Sequence, residues 1–205
     1  MTQKTVAIFG SGGGIGSAVR RVFDPVEYKI VSVDRAIIDL KLPYADQEIH
    51  KFLSVLDPDI VINCAGVFVS GHLADHQETM AVNVGSNWSI MRHYLYTGNQ
   101  KKPVNIVAVG SSSYTGGRKQ YPLYSASKAA LYNLWQGVRE NLADTSIRVH
   151  LVNPVRTLTN MATNGGAPDP ALDYLSPELV AQQIFKLATS NDASICVDIT
   201  FEDVK

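Results

Sequence analysis

Cysteine is scarce in this chain. Cys64 and Cys196 are the only two in 205 residues, and both lie in apolar β-like runs. They read as small buried residues of a reducing compartment, which argues against a disulfide scaffold or a thiolate metal pair. An excess of charge of either sign is also missing. Eighteen Lys and Arg stand against 19 Asp and Glu, for a formal charge of −1. Neither nucleic acid nor an acidic membrane surface is implied by that balance. The nearest thing to a basic stripe, Lys101-Lys102, reads as a solvated loop. No apolar run approaches the roughly 20 residues that span a bilayer. Met1-Thr2-Gln3-Lys4 leads directly into a strand, which leaves no room for a secretory signal. His72, His76 and His93 show no metal-ligand spacing and read as surface or packing residues. No repeat, low-complexity tract or linker interrupts the pattern. The expectation is a cytoplasmic, soluble chain without a resident metal, folded as one domain over residues 1–205 with a sizeable core.

What is present begins with a short apolar run at residues 5–9 (TVAIF), without alternation, as a parallel strand covered on both faces requires. It runs into Gly10-Ser11-Gly12-Gly13-Gly14-Ile15-Gly16 and then a helix start at Ser17. A glycine turn between strand and helix brings backbone close to a pyrophosphate at the positive helix end. The bland alternative is a flexible glycine loop without a ligand, which the flanks disfavour. Residues 28–33 form a second strand, and Asp34 at its end stands 20 residues after Gly14. That is the distance at which an acid reaches adenosine ribose hydroxyls. A carboxylate there repels a 2′-phosphate and favours NAD over NADP, while the adjacent Arg35 could soften that preference. Alternatively, Asp34 simply caps a turn.

Residues 36–39 (AIID) follow almost at once and read as a third strand, too close to the second for a crossover helix. Asp39 and Leu40 would then sit near an adenine ring. Further strands are expected at 59–63, 103–109, 147–152 and 194–199, with helices at 43–56, 72–99, 122–143 and 177–189, the last capped by Ser176. The sum is an α/β chain: a single Rossmann-type, doubly wound domain on a seven-stranded parallel sheet, with the helix between strands two and three shortened or missing. Asn63-Cys64-Ala65-Gly66 and Asn153-Pro154 end strands at the carboxyl edge, where open α/β sheets bind ligands. Residues 160–175, rich in Gly and Pro, read as a lid.

The stretch of most chemical content is 106–130, IVAVGSSSYTGGRKQYPLYSASKAA. Tyr124 and Lys128 lie four apart, on one face of the helix that follows the strand. Ser111 ends that strand, where a loop can return its hydroxyl to the phenol. A phenol beside an ammonium can act as acid or base near neutrality; moving its pKa from ~10 to ~7 takes ~4 kcal/mol. Taken alone, the Tyr124/Lys128 spacing is equally that of an amphipathic helix. Asn83, mid-helix with Gly85 two residues on, could hold a water or kink the helix, or be satisfied by its own preceding turn. Arg118 and Arg156 fall on two loops flanking Tyr124 and suit a phosphate, or else form surface ion pairs.

In this order and spacing, Gly10-xxx-Gly14-Ile15-Gly16, Asn63-Cys64-Ala65-Gly66, Asn83, Ser111, Tyr124-Ser-Ala-Ser-Lys128 and Asn153-Pro154 resemble the short-chain dehydrogenase/reductase family over nearly the whole chain. The resemblance implies an NAD(P)(H)-dependent oxidoreductase for a small-molecule substrate. Tyr124 would exchange the proton, with Ser111 holding the substrate oxygen and Ser112 as the alternative one residue on. Lys128 would bind the nicotinamide ribose and lower the phenol's pKa, and Asn83 would anchor a relay water. Cofactor contacts would come from Gly10, Ser11, Gly13, Gly14, Ile15, Gly16, Asp34, Arg35, Asp39, Leu40, Asn63, Ala65, Gly66, Tyr124, Lys128, Pro154 and Val155. A homodimer or homotetramer built on helices 78–96 and 122–143 is implied as well. More narrowly, Ser111 to Arg118, Tyr124 to Ala130 and Asn153-Pro-Val-Arg156-Thr are similar to reductase domains of CDP-ribitol-forming enzymes. Those reduce ribulose 5-phosphate with NADPH, with Arg118, Arg156 and Ser112 as substrate residues here. Val155 and Asn160 depart from that pattern, a cytidylyltransferase half is not seen, and Asp34 argues for NAD. The rival class is a dinucleotide-binding sensor or scaffold without turnover. The intact Ser, Tyr, Lys and Asn set argues against it, since a sensor needs no proton path.

Overall fold

The computed structural model describes residues 3–68, 75–96, 102–163 and 166–204. Six parallel strands form its sheet: β1 (Lys4–Phe9), β2 (Tyr28–Val33), β3 (Ile60–Asn63), β4 (Val104–Val109), β5 (Ile147–Pro154) and β6 (Cys196–Ile199), in the order β2-β1-β3-β4-β5-β6. The apolar runs of the central β1, β3 and β4 lack polar alternation where both faces are covered, as at Val6–Phe9, Ile60–Ile62 and Ile106–Val109. Successive side chains point to opposite faces, so Val6, Ile8, Ile62, Val107 and Val152 pack on one side while Ala7, Phe9, Val61, Ile106 and Leu151 pack on the other.

Helices α1 (Gly14–Val22) and α7 (Pro177–Thr189) cover the first face. Helices α2 (Ala45–Leu56), α4 (Ser86–Tyr96) and α5 (Pro122–Asn141) cover the second. The short α3 (His76–Met80) runs through a π-helical turn, Ala81–Gly85, into α4. Residues 72–74 and 97–99 of the long helix expected there lie outside the described residues, as does Lys101. A last short helix, α6 (Asn160–Thr163), opens the expected lid. Among the described residues, no helix is long and apolar enough to cross a membrane.

The expected third strand, residues 36–39, is not a strand. The Asp34 carbonyl accepts from Ile37 N at 2.8 Å and Ile38 N at 3.1 Å, so the chain turns as soon as β2 ends. Two residues cannot carry it back across the sheet. Its apolar content is spent on a plug: Ile38 is buried and Leu40 packs beside it against the core, while Ile37 faces solvent. The sheet therefore has six strands, with β2 at its edge.

Among the described residues, the Nε2 of His150 and the Tyr94 hydroxyl are buried without a hydrogen-bond partner. His150 sits in β5, fully buried, and burial holds its pKa at about 4 against the ordinary 6.5. His93 is held at about 4 mainly by burial. Between these values the unfolded chain binds protons that the folded chain refuses. Stability is thus full above 6.5 and falls as pH drops toward 4. For His150 the loss across that window is about 3 kcal/mol. Thermal unfolding followed by circular dichroism should show a melting temperature that declines steeply through this interval, and His150→Leu should flatten the decline.

Candidate functional site

At the carboxyl edge of the sheet a cavity of about 760 Å³ runs from the end of β2 to the start of α5. The glycine turn forms its floor. Gly10 adopts φ +70°, and a Cβ there would lie 2.7 Å from the Ala65 backbone, so only glycine fits. Gly16 is packed directly onto the Gly10 carbonyl, which brings α1 against β1. Gly13 caps α1 with no side chain in the way, leaving the N-terminal amides of that helix facing the cavity. Thr159, from the stretch after β5, lies over Gly14.

Asp34 closes the turn. Its carboxylate accepts from the Ser11 hydroxyl at 2.7 Å and from Gly12 N at 3.0 Å. Arg35 points to carboxylates, with Glu78 at 3.3 Å and Asp39 at 3.9 Å. Asp34, Arg35, Asp39 and Leu40 all line this end of the cavity.

At the other end, Tyr124 and Lys128 project from one face of α5, with the Lys128 Nζ 5.6 Å from the Tyr124 ring centre. Lys128 is buried and donates to the Val109 carbonyl at 2.9 Å. Burial brings its pKa down to about 8, so it stays largely protonated at neutral pH. The phenol behaves differently from the expectation. Burial raises its pKa, a hydrogen bond from the Ser111 side chain pulls the other way, and Tyr121 adds to the rise. In this geometry desolvation outweighs the help available to the phenolate.

Ser111 is held in place by its neighbours. Its amide donates to Asn153 Oδ1 at 3.2 Å, and its Oγ accepts from Ser113 N at 3.2 Å. Asn153 in turn donates to Asp198 Oδ1 at 3.0 Å, and Tyr114 donates to the same carboxylate at 2.9 Å. A carboxylate on β6 thus braces the turn that carries Ser111 from both sides.

Of the residues singled out in the sequence, Gly10, Gly13, Gly14, Ile15, Ala65, Gly66, Ser111, Ser112, Arg118, Tyr124, Lys128, Pro154, Val155 and Arg156 also line the cavity. Ser11, Gly16, Asn63 and Asn83 are buried behind its wall. Asn63 donates to Ser86 Oγ and Asn87 Oδ1, both at 2.9 Å, and accepts from Ala65 N at 3.1 Å. Asn83 sits in the π-turn. Its Oδ1 accepts from Val67 N at 2.8 Å, and its Nδ2 donates to Val67 O and Ser127 Oγ, both at 3.0 Å. Its side chain is therefore engaged across the fold and not by its own preceding turn. Its carbonyl accepts from Asn87 Nδ2 at 3.0 Å.

Sequence reasoning singled out neither Phe68 nor Tyr121, both in the cavity wall, while Cys64 entered only within the strand-end motif and Met161 only within the expected lid. Tyr121 immediately precedes α5, and its ring centre lies 6.1 Å from that of Tyr124. The Cys64 thiol is pushed up to about 12 by burial, with Lys128 pulling the other way.

A family model described as short chain dehydrogenase matches residues 46–169, more than half of the chain. Among curated relatives, the bifunctional ribulose 5-phosphate reductase/CDP-ribitol pyrophosphorylase Bcs1 of Haemophilus influenzae is 26% identical over 212 residues, covering 99% of this chain and 44% of that protein. The chain thus spans less than half the length of that relative. The 2,3-dihydro-2,3-dihydroxybenzoate dehydrogenase of Escherichia coli K12 is 29% identical over 176 residues, 77% of this chain and 71% of the relative. Among solved structures, 4-hydroxyisoleucine dehydrogenase complexed with NADH superposes with a TM-score of 0.83 at 21% identity, covering 96% and 97% of the two chains. ElxO with NADP bound gives 0.81 at 19% identity, covering 97% of each. With the fold, the cavity and the family match agreeing, the chain belongs to the short-chain dehydrogenases.

Proposed function

We propose that this chain interconverts a carbonyl and an alcohol with a nicotinamide dinucleotide as hydride carrier. The observation that carries the reading is one cavity with Ser111, Tyr124 and Lys128 at one end and the glycine turn with Asp34 at the other. The residues present fit a dinucleotide. The N-terminus of α1 offers amides to a pyrophosphate, Asp34 faces the place of a ribose, and Asp39 and Leu40 form the wall beside an adenine. Ala65, Gly66, Pro154, Val155 and Lys128 would hold the nicotinamide half. Once bound, the cofactor supplies the hydride.

The chain's own residues supply the proton and the orientation. With its pKa raised, the Tyr124 phenol is protonated at neutral pH, the form that donates to a carbonyl oxygen as that carbon is reduced. The Ser111 hydroxyl holds the same oxygen. The Lys128 ammonium favours the phenolate left behind and binds the ribose. In the reverse direction Tyr124 takes the alcohol proton.

NAD is the preferred carrier in this reading. The Asp34 carboxylate stands against a 2′-phosphate, and Arg35, which could answer one, is held by Glu78 and Asp39. The solved structures similar in fold hold cofactors of both kinds. The substrate we favour is a sugar or polyol phosphate such as ribulose 5-phosphate. Arg118 and Arg156 line the cavity beyond Tyr124, and the Haemophilus relative carries that reductase in its name. The chain would work as one cytoplasmic domain, assembled as a homodimer or homotetramer through α4 and α5.

Tyr124→Phe should lower NADH-dependent reduction of ribulose 5-phosphate about 100-fold or more while cofactor binding, read by fluorescence, stays within twofold. Retention of the full rate by that variant would sink the assignment. Asp34→Asn keeps an acceptor oxygen for Gly12 N but loses the charge and the oxygen that accepts from Ser11; it should narrow the preference for NADH over NADPH by roughly tenfold, measured as the ratio of dissociation constants. Arg156→Ala should raise KM for the phosphate substrate roughly tenfold with kcat little changed, the signature of lost ground-state binding.

A further inference from the structure

Three aromatic rings meet in the cavity wall. The Phe68 ring stands edge-on to Tyr124, with centres 5.0 Å apart at 82°, and to Tyr121 at 5.1 Å and 64°. Tyr121 and Tyr124 are themselves 6.1 Å apart at 76°. Phe68 comes from the loop after β3, whereas Tyr121 immediately precedes α5 and Tyr124 lies in its first turn. Nothing in a loop fixes a ring unless its backbone is fixed. Here it is, because the Asn83 amide grips both the N–H and the carbonyl of Val67, the residue before Phe68. The same Nδ2 donates to Ser127 Oγ, and that hydroxyl donates to the Tyr124 carbonyl at 2.7 Å. One fully buried side chain thus refers the backbone beside Phe68 and the backbone of Tyr124 to a common point.

We propose that Phe68 is a positioning residue for the proton-transferring phenol: seated by the Asn83 grip on Val67, its ring fixes the Tyr124 ring in the cavity wall and keeps water from it. This rests on the reading of Tyr124 as the proton donor. The family's motif residues do not include Phe68, and it makes no polar contact with a reactant in this role. Its effect passes through the orientation and solvation of Tyr124. Burial is the largest cause of the raised Tyr124 pKa, and an apolar ring against the phenol contributes to it. The titratable groups beside Tyr124 are Tyr121, immediately before α5, and Lys128 on α5, while Cys64, Arg118 and Arg156 line the same cavity. The Ser111 hydroxyl bonds it from the end of β4. Replacing Phe68 changes none of their charges, so a change in Tyr124 titration reports solvation.

Ultraviolet difference titration of phenolate formation, wild type against Tyr124→Phe, isolates the Tyr124 step without cofactor or substrate. The same pair in a Phe68→Ala background should show that step moved down by about one pH unit. Phe68→Leu, which keeps an apolar side chain and the fold, should move it about half as far. With NADH and ribulose 5-phosphate, kcat should fall roughly tenfold for Phe68→Ala, and the high-pH limb of the reduction rate should shift the same way, while KM for NADH holds. A Tyr124 step that stays in place in both variants overturns the proposal. Full turnover by Tyr124→Phe overturns the catalytic reading instead, and the titration still decides whether Phe68 shields the phenol.

Discussion

The grip of the Asn83 amide on Val67 is the constraint around which the upper half of this molecule is arranged. A π-turn inside a helix widens it by one residue and disturbs the regular ladder. At 81–85 that widening places a polar side chain in the interior, where an unpaired amide would be costly. It is not unpaired: both of its polar atoms are used, on the loop after β3 and on α5. The network continues through Asn87 to Asn63 and Ser86, all buried, so β3, the π-turn, α4 and α5 share one set of hydrogen bonds. Such a network is a net asset only when complete, since each missing partner leaves a desolvated group behind. Its completeness ties an irregular helix and a loop to the helix that carries Tyr124 and Lys128.

Around that frame, electrostatics and burial pull against each other. Lys128 is taken out of water and loses some of its hold on its proton; Tyr124 is taken out of water and grips its proton more tightly. In solution the two groups lose their protons at nearly the same pH, 10.0 and 10.5; here Lys128 falls to about 8 while the phenol rises above its ordinary value, so the phenol becomes the weaker acid of the pair. In the proposed reaction the proton therefore rests on the phenol before transfer, and the amine stays a poor acceptor for it, because the difference in pKa sets the driving force for transfer. Ser111 opposes the rise through its hydrogen bond to the phenol, and Asn153, backed by Asp198, holds its turn.

The parts legible in the sequence were those in which local pattern and tertiary need agree. The helix 177–189 was readable because Ser176 caps it, accepting from Leu179 N, and Pro177 opens it. The central strands β1, β3 and β4 were readable because burial on both faces leaves apolar runs of three or four residues. Tyr124, Lys128 and Ser111 were readable because helical spacing and a strand end fix their direction. The run 36–39 failed for the opposite reason. Four residues with two isoleucines look like a strand by composition, and only the turn bonds from Asp34 show that its apolar side chains fill a gap beside β2. Asn83 carried a hint in the glycine two residues on, but its partner, Val67, is 16 residues away and known only from the fold. Phe68 carried no hint, since a lone aromatic in a loop has no periodicity to read.

The missing strand bears on the cofactor end of the site. With no further strand beyond β2, that edge is finished by the turn at Asp34 and the plug of Ile38 and Leu40. Asp34 is thereby given two tasks. Its carbonyl sets the turn, and its carboxylate ties that turn to Ser11 and Gly12 in the glycine loop. A residue that closes the fold cannot swing aside for a 2′-phosphate without loosening the loop that would seat the pyrophosphate. If the proposed preference for NAD holds, it and the integrity of the sheet edge are coupled through one residue. In a chain that reached this edge through a separate strand and helix, the two could be tuned apart.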